Sequence, residues 1–360
     1  MTSTPALAVP SGSARRRRAG LALLLGGIAL VLLFSPLVGS VEIDPVRVLA
    51  IVLSGGGALF NPCAGAGPTC SLDVLAVWQG RVPEVLLAVL AGAALGVSGG
   101  ALQGIFRNPL ADPYLLGIST GGTLGASLVF VLHVGEADAD LVLPLLAFLG
   151  STLTGVAILA VARSRYGSVE TLLLTGVALN AFLSSVLTIV LLYNPTGSIQ
   201  VTFWLLGGLG GASWPRDGIA FGGILVAGTL ISVYGRELNL LQLGNDVAQS
   251  AGVDARGVRN RVLLLASLAT AIAVAFTGVI GFVGLAAPHA VRRVAGSDYR
   301  LVLPGAALVG AAFLVAARDL SYLAFPGSVL PIGIFTSLAG APFFFYLLYR
   351  RRQVTTMGGP

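Results

Sequence analysis

The sequence predicts an all-α membrane protein with about ten transmembrane helices, and two observations support this fold class. Of the 360 residues, 56% are hydrophobic and only 10% are charged, which is too apolar for a soluble globular protein. Apolar stretches of about 20 residues, long enough to cross the hydrocarbon core as helices, recur along the whole chain. The predicted spans cover residues 20–39, 85–106, 114–134, 141–162, 169–193, 218–235, 260–279, 281–295, 301–325 and 331–349.

The distribution of arginine predicts how these spans are oriented, because short cytoplasmic loops collect basic residues. With the N-terminus inside, 17 of the 21 arginines fall on the cytoplasmic side, including Arg15–Arg18 and Arg350–Arg352. We therefore expect a multi-pass protein of the inner (cytoplasmic) membrane with both termini in the cytoplasm. The first span also resembles a signal peptide, but its apolar core is long for one, so we expect an uncleaved anchor.

The predicted organisation is a single membrane domain with two short tails. Residues 1–19 form a disordered cytoplasmic tail, residues 20–350 the transmembrane domain, and residues 351–360 a second cytoplasmic tail. An extracytoplasmic loop at residues 40–84 contains Cys63 and Cys70. An oxidising compartment permits a disulfide between them, and two free thiols are the alternative.

Residue types exclude several classes of function. All 21 basic residues are arginine, so the P-loop lysine is missing and the chain cannot hydrolyse ATP by that route. The two histidines and two cysteines are too few and too scattered for a metal site, and we expect no metal and no cofactor. The arginines flank apolar runs, which favours contact with membrane lipid and predicts no nucleic-acid partner. Intramembrane proteolysis lacks paired aspartates, an HExxH motif or a Ser/His dyad.

The longest polar stretch between spans, residues 236–259, predicts a docking element on the cytoplasmic side. Within it, residues 238–253, here called the knob, predict two short helices hinged at Gly244 and ended at Gly252. An apolar surface on such an element predicts docking into a groove of a partner, and packing against the protein's own cytoplasmic face is the alternative. The residues concerned are Leu240, Leu241, Leu243, Gly244, Val247, Ala248, Gly252 and Val253.

Three further segments, residues 103–122, 278–289 and 330–343, are broken by glycine and proline at a membrane face. Such backbone is tolerated at membrane depth only against protein or a water-filled path. Together with the knob and residues 204–214, these segments occur in an order and spacing that resembles the permease subunits of type II ABC importers for iron chelates, haem and vitamin B12. The resemblance covers essentially residues 75–350.

The resemblance implies an inverted-repeat fold and a transport subunit without enzymatic activity. The implied partners are a second copy of the chain, two cytoplasmic ATP-binding cassette ATPases, which the knob would contact as coupling helices, and an extracytoplasmic substrate-binding protein. A ferric siderophore is the first choice of cargo, and cobalamin and haem are the alternatives. A distant alternative of another class is an ion-coupled secondary transporter.

The resemblance also implies roles for individual residues. The path would be lined by spans five and ten, although helix-to-helix hydrogen bonding also explains their polar residues. The gate would lie near Ser168 and Glu170, for which helix capping alone is the alternative. Arg81 would dock the binding protein, whereas Arg318, away from the usual arginine position, either assists docking or pairs with Asp319. The path candidates are Thr175, Asn180, Ser184, Ser185, Thr188, Thr336 and Ser337.

Overall fold

A computed structural model describes residues 11–54, 72–132, 136–163, 169–324 and 329–356 of the chain. These ranges are helical and contain no strand, which confirms the all-α prediction. The α-helices of the described ranges are α1 (Ser11–Phe34), α2 (Pro45–Ser54), α3 (Leu72–Leu75), α4 (Val82–Phe106), α5 (Ile118–Val131), α6 (Glu136–Arg163), α7 (Val169–Tyr193), α8 (Pro195–Leu205), α9 (Trp214–Val233), α10 (Gly235–Gln242), α11 (Asn245–Ser250), α12 (Ala255–Thr277), α13 (Val283–Ala295), α14 (Tyr299–Leu323) and α15 (Ile332–Thr356).

Ten of these helices correspond to the predicted spans, namely α1, α4, α5, α6, α7, α9 and α12 to α15. Seven helical stretches in the described residues are long and apolar enough to cross a membrane. Those seven leave out α5 and α13, which have only 14 and 13 residues, and α15, whose apolar part is short. The first helix begins at Ser11, so residues 11–19 are helical where the sequence predicted a disordered tail. The reason is that the alanine and arginines of this segment are strong helix formers.

Short side-chain signals set where several helices begin. Asp254 and Asp298 each accept a hydrogen bond from a backbone N–H in the first turn of α12 and α14, at 3.0 Å in both cases. A proline occupies the first turn of α4 and α9, where its missing N–H costs nothing. The Asp254 and Asp298 caps fix the two helix starts that lie beside the residues of α10 and α11.

The helices α4–α7 and α12–α15 form two inverted repeats. Their lengths follow the same order, with 25, 14, 28 and 25 residues in the first repeat and 23, 13, 25 and 25 in the second. Left-handed Gly117 and Phe282, with φ of +74° and +67°, precede the short second helix of each repeat. Successive membrane spans run in opposite directions. Five spans, α4 to α7 and α9, come before α12, so α12 runs in the direction opposite to α4.

The two short helices, α5 and α13, begin inside the bundle and are called the half-helices below. Gly284 in the first turn of α13 lies against Gly99, in the last third of α4, where an added Cβ would be 2.0 Å from the Gly284 carbonyl oxygen. Gly117, before α5, lies against the backbone of Asn180, near the middle of α7. Both short helices therefore begin beside the interior of a longer helix, as discontinuous helices of transporters commonly do.

Contact between α4 and α14 depends on glycine. A Cβ added at Gly92 would lie 2.3 Å from the carbonyl oxygen of Gly310, and one added at Gly96 would lie 2.1 Å from that of Ala306. No side chain can occupy these positions without separating the helices. Small residues allow this close approach, which replaces the hydrophobic driving force that lipid does not provide between helices.

We expect Gly96→Ala to destabilise the protein, because the added methyl group overlaps the α14 backbone. The expected cost is about 1–3 kcal/mol, which is typical of overpacking. Gly222→Ala on α9 is the matched control, since its added Cβ meets nothing within 4 Å. Thermal unfolding of both variants in detergent measures the difference. Equal melting temperatures would show that α4 and α14 can separate at no cost.

Candidate functional site

The knob consists of two short helices, as predicted. Helix α10 ends at Gln242 and α11 begins at Asn245, and the glycine between them, Gly244, has φ of +121°. Gly252 follows α11 with φ of +81°. Both values lie in the region that glycine adopts without steric cost, so the hinge and the end of the knob require this residue type.

One face of the knob is fixed to the helical bundle. Leu241 and Ala248 are buried, while Leu240 and Val253 are half-buried against the core. The Gln242 side chain donates a hydrogen bond of 2.8 Å to the carbonyl oxygen of Gly104, in the last turn of α4. This half of the predicted residues therefore packs against the protein's own helical bundle.

A second link joins the knob to the start of α14. The amide of Asn239 donates to Asp298 at 2.7 Å and accepts from the Tyr299 backbone N–H at 2.9 Å. The knob is therefore held by α4 of the first repeat and by α14 of the second. The sequence gives no signal for the roles of Asn239 and Gln242, because only the fold brings α4, α10 and α14 together.

The opposite face of the knob is open. Leu243 and Val247 are 66% and 46% exposed, and both lie beside the Gly244 hinge. Gly252 is also exposed. Exposed aliphatic side chains on a rigidly held, otherwise polar element are typical of a contact surface for another protein.

The candidate path residues of α7 lie on a helix that is largely exposed. Ser184, Ser185 and Thr188 are exposed, whereas Thr175 and Asn180 are half-buried. The hydroxyls of Thr175, Ser185 and Thr188 donate to carbonyl oxygens four residues earlier, at 2.7, 2.9 and 2.8 Å. Their donors are therefore satisfied within the helix and need no external partner.

Asn180 links α7 to α5. Its side-chain oxygen accepts a hydrogen bond from the hydroxyl of Thr120, in the first turn of the half-helix. The helix-to-helix alternative therefore describes this residue in the present conformation. On α15, Thr336 is buried and donates to the carbonyl oxygen of Gly333 at 3.1 Å, whereas Ser337 is exposed.

Ser337 lines a large cavity between the start of α13 and α15. The cavity has a volume of about 1060 Å³ and is mostly apolar, with Leu206, Phe282 and Pro342 in its wall. It also contains Asp112, from the connection between α4 and α5. Among the described residues that line this cavity, Ser337 is the one predicted path residue. The candidates of α7 and α15 are therefore not brought together in this cavity of a single chain.

Asp112 is a site residue that sequence analysis did not single out. Its Oδ1 accepts a hydrogen bond of 2.8 Å from the Tyr114 backbone N–H, while its Oδ2 is buried without a partner among the described residues. Burial raises the pKa of this carboxyl to about 6, and the hydrogen bond from Tyr114 opposes the shift. A carboxyl in an apolar cavity wall is a candidate for contact with cargo.

The predicted gate residues are only partly described. Ser168 lies outside the described residues, and Glu170 is an exposed residue in the first turn of α7. Glu170 borders a second cavity, at the base of the knob. The start of α7, the start of α12 and the knob therefore meet at one end of the bundle.

At the opposite end, a buried charge network joins α4 and α14. Arg318 is 1% exposed, and its guanidinium lies 2.9 Å from Glu84 Oε2 and 3.0 Å from Asp319 Oδ1. The Tyr322 hydroxyl also donates to Glu84, at 2.8 Å. Arg318 therefore pairs with acids inside the bundle, which is the second of the two roles that the sequence left open.

Arg81 is also buried, at 4% exposure, within the same end of the bundle. Its guanidinium donates to the carbonyl oxygens of Pro36, at 3.2 Å, and of Leu37, at 3.0 Å, and it also donates to that of Val41. In this conformation it is not available to a carboxylate of another protein. Docking through Arg81 stays a prediction and would require the segment after α1 to move.

Comparison with known proteins identifies the family. The model of the FecCD transport family matches residues 24–350, which is most of the chain. The chain belongs to the FecCD transport family. It is 40% identical over 282 residues to the hemin transport system permease protein HmuU of Yersinia pestis, covering 76% of this chain and 83% of the relative. It is 39% identical over 282 residues to the cobalamin import system permease protein BtuC of Halobacterium salinarum, covering 77% of this chain and 74% of the relative.

A third relative of this FecCD-family chain is the Fe(3+)-citrate import system permease protein YfmE of Bacillus subtilis. The identity is 35% over 305 residues, covering 84% of this chain and 91% of the relative. A solved transporter described as of the metal-chelate ABC type, in an inward-facing conformation, superposes with a TM-score of 0.75 at 27% identity, covering 91% of this chain and 99% of the other. The chain is therefore a multi-pass membrane protein with the fold of ABC importer permeases.

We expect Asp112→Asn to stabilise the protein in a pH-dependent way. Asparagine preserves the acceptor for the Tyr114 N–H, and it removes the cost of burying a charge. Because an unfolded aspartate titrates near pH 4 and Asp112 near pH 6, the folded state of the unmodified protein loses stability as the pH rises between these values. The advantage of the variant should therefore be largest above pH 6 and vanish below about pH 4.

Thermal unfolding of the purified protein from pH 4 to 8 measures this difference, with Asp112→Ala as the control that also removes the cap. A constant difference between the asparagine variant and the unmodified protein at every pH would contradict a buried ionised carboxylate.

Proposed function

We propose that this chain is the membrane subunit of an ATP-driven importer that moves a metal chelate inward by alternating access. The observation that carries the proposal is the knob, which is anchored by two repeats and exposes Leu243 and Val247. An element held in this way transmits displacement only if another protein contacts its open face. Two ATP-binding cassette ATPases on the cytoplasmic side are the proposed partners.

A second copy of the chain is the proposed occupant of the exposed face of α7. This face carries large apolar side chains, Leu174, Val177 and Phe182, together with the internally bonded hydroxyls of Ser185 and Thr188. Apolar atoms with internally bonded hydroxyls suit either lipid or a path for a bulky cargo between two subunits. Pairing of two α7 helices would bring the candidates of both subunits to one axis, which a single chain does not do.

A ferric siderophore is the first choice of cargo, and cobalamin and haem are the alternatives. The relatives named above are permeases for hemin, cobalamin and ferric citrate, at similar identities. The apolar cavity of about 1060 Å³ is large enough for part of a bulky chelate. An extracytoplasmic binding protein would deliver the cargo at the end of the bundle opposite the knob.

The distant alternative is a secondary transporter coupled to an ion. Such a protein keeps charged residues at membrane depth as ion sites. Here the candidate pair, Arg318 and Asp319, is joined by Glu84, and the Arg318 guanidinium contacts both carboxylates, so each acid already has a cationic partner inside the protein. An exposed apolar face on the knob also has no role in that mechanism.

Replacing both exposed residues, Leu243→Asp with Val247→Asp, should abolish coupling without unfolding the protein. Charges at these positions remain hydrated in the isolated permease but would be buried unpaired in the ATPase groove. The measurement is cargo uptake and ATPase activity in vesicles reconstituted with the complete transporter. Leu241→Asp is an informative control, because that residue is buried and its replacement should unfold the knob itself. Undiminished uptake by the Leu243/Val247 variant would remove the coupling proposal.

Uptake in cells lacking this protein should identify the cargo. We expect radiolabelled ferric siderophore uptake to be lost and to recover with the restored gene, because the proposed transporter would lack its membrane subunit. Radiolabelled cobalamin and haem are measured in the same cells. Loss of cobalamin or haem uptake alone would transfer the chain to that branch, and no change in any of the three would contradict the chelate class.

A further inference from the structure

A second cavity lies at the base of the knob, and the predicted coupling and gating roles of Leu241 and Glu170 do not account for the three arginines in its lining. It has a volume of about 570 Å³ and lies where α4 ends and where α7, α11 and α12 begin. Three arginines, Arg107, Arg256 and Arg259, face it together with Glu170. We call it the arginine cavity.

The charges of the arginine cavity do not balance. Three guanidinium groups face one carboxylate among its described lining residues, which leaves an excess of two positive charges. Two other acids adjoin lining residues in the sequence, and neither lines the cavity: Asp254 caps α12 through the Gly257 N–H, and Asp246 is an exposed residue of α11. Like charges gathered in a partly enclosed space repel one another, so this arrangement is costly unless an anion is present.

The hydrogen bonds of Arg107 and Arg259 leave donors available. Arg107 donates to the side-chain oxygen of Asn245. The Nε of Arg259 is buried without a partner among the described residues. Each guanidinium carries five N–H groups, so the contacts of these two arginines use only a part of their donor capacity.

We propose that the arginine cavity binds a phosphate group. A phosphate dianion matches the charge excess of two, and planar guanidinium groups bind its oxygens in pairs. The amides of Asn245 and Gln249 add neutral donors to the lining. The starts of α7 and α12 lie at the same place, and the partial positive charge of a helix N-terminus favours an anion.

The phosphate group has two possible sources, a soluble phosphate ester of the cytoplasm or the headgroup of an anionic phospholipid. In either case the ligand would contact α4, the knob, α7 and α12 at once. Its binding would fix the knob relative to the start of α7, where the gate is predicted. The inference goes beyond transport itself and does not depend on which cargo is carried.

The test uses the complete permease purified in a neutral detergent. Calorimetric titration with inorganic phosphate, at constant ionic strength against chloride, examines the soluble source. Native mass spectrometry after exposure to phosphatidylglycerol or phosphatidylcholine examines the lipid source. Arg259→Gln should weaken the phosphate or phosphatidylglycerol contact about tenfold, which corresponds to the loss of one charge-assisted hydrogen bond.

Arg236→Gln is the matched control, because it removes the same charge from an exposed position on α10 that does not line the cavity. Arg107→Gln is the second variant, used if Arg259→Gln does not elute as a monodisperse protein. Phosphate binding supports a soluble ligand, and selective retention of phosphatidylglycerol supports a lipid headgroup. Binding of neither, or equal weakening by Arg236→Gln, would overturn the proposal.

Discussion

The structure depends on one constraint, which is that every backbone polar group inside the bundle must be hydrogen-bonded within the protein. The interrupted repeats create exposed groups at the half-helices, and neighbouring elements satisfy them. The Gly208 N–H donates to the carbonyl oxygen of Thr277 at 2.8 Å, and Gly333 donates to that of Leu206 at 3.0 Å. The Gln103 side chain donates to the carbonyl oxygen of Gly284 at 3.1 Å and in turn accepts from Arg292 at 2.8 Å. Each interruption therefore requires a polar partner from a distant part of the chain.

Much of this architecture was predictable because long apolar runs and arginine positions are local signals. The ten spans and the two helices of the knob were recognised in this way. The short length of α13 was also predicted, as the span 281–295, whereas that of α5 was not, because the apolar run 114–134 does not reveal at what depth the helix begins. Arg81 shows the same difficulty, because an arginine beside a span predicts the surface equally well, and only the fold brings the carbonyl oxygens that bury it. For Arg318, inside a span, the sequence offered the pairing with Asp319 but not the contact with Glu84.

The knob illustrates how one short segment serves two environments. Its apolar residues were all interpreted as one contact surface, yet the structure divides them between an inner face at Leu241 and Ala248 and an outer face at Leu243 and Val247. A helix turns by about 100° per residue, so neighbouring apolar residues point in different directions. Composition indicates that such an element is amphipathic, but the position of the bundle decides which side is open.

The anchoring of the knob has a mechanical consequence. Gln242 bonds the knob to the last turn of α4, and Asn239 bonds it to the first turn of α14, so the knob is attached to both inverted repeats. The glycine contacts between α4 and α14 make these two helices a stiff pair. A displacement applied at the open face of the knob therefore moves α4 and α14 together. The two repeats would move at the same time, without transmission through the helices between them.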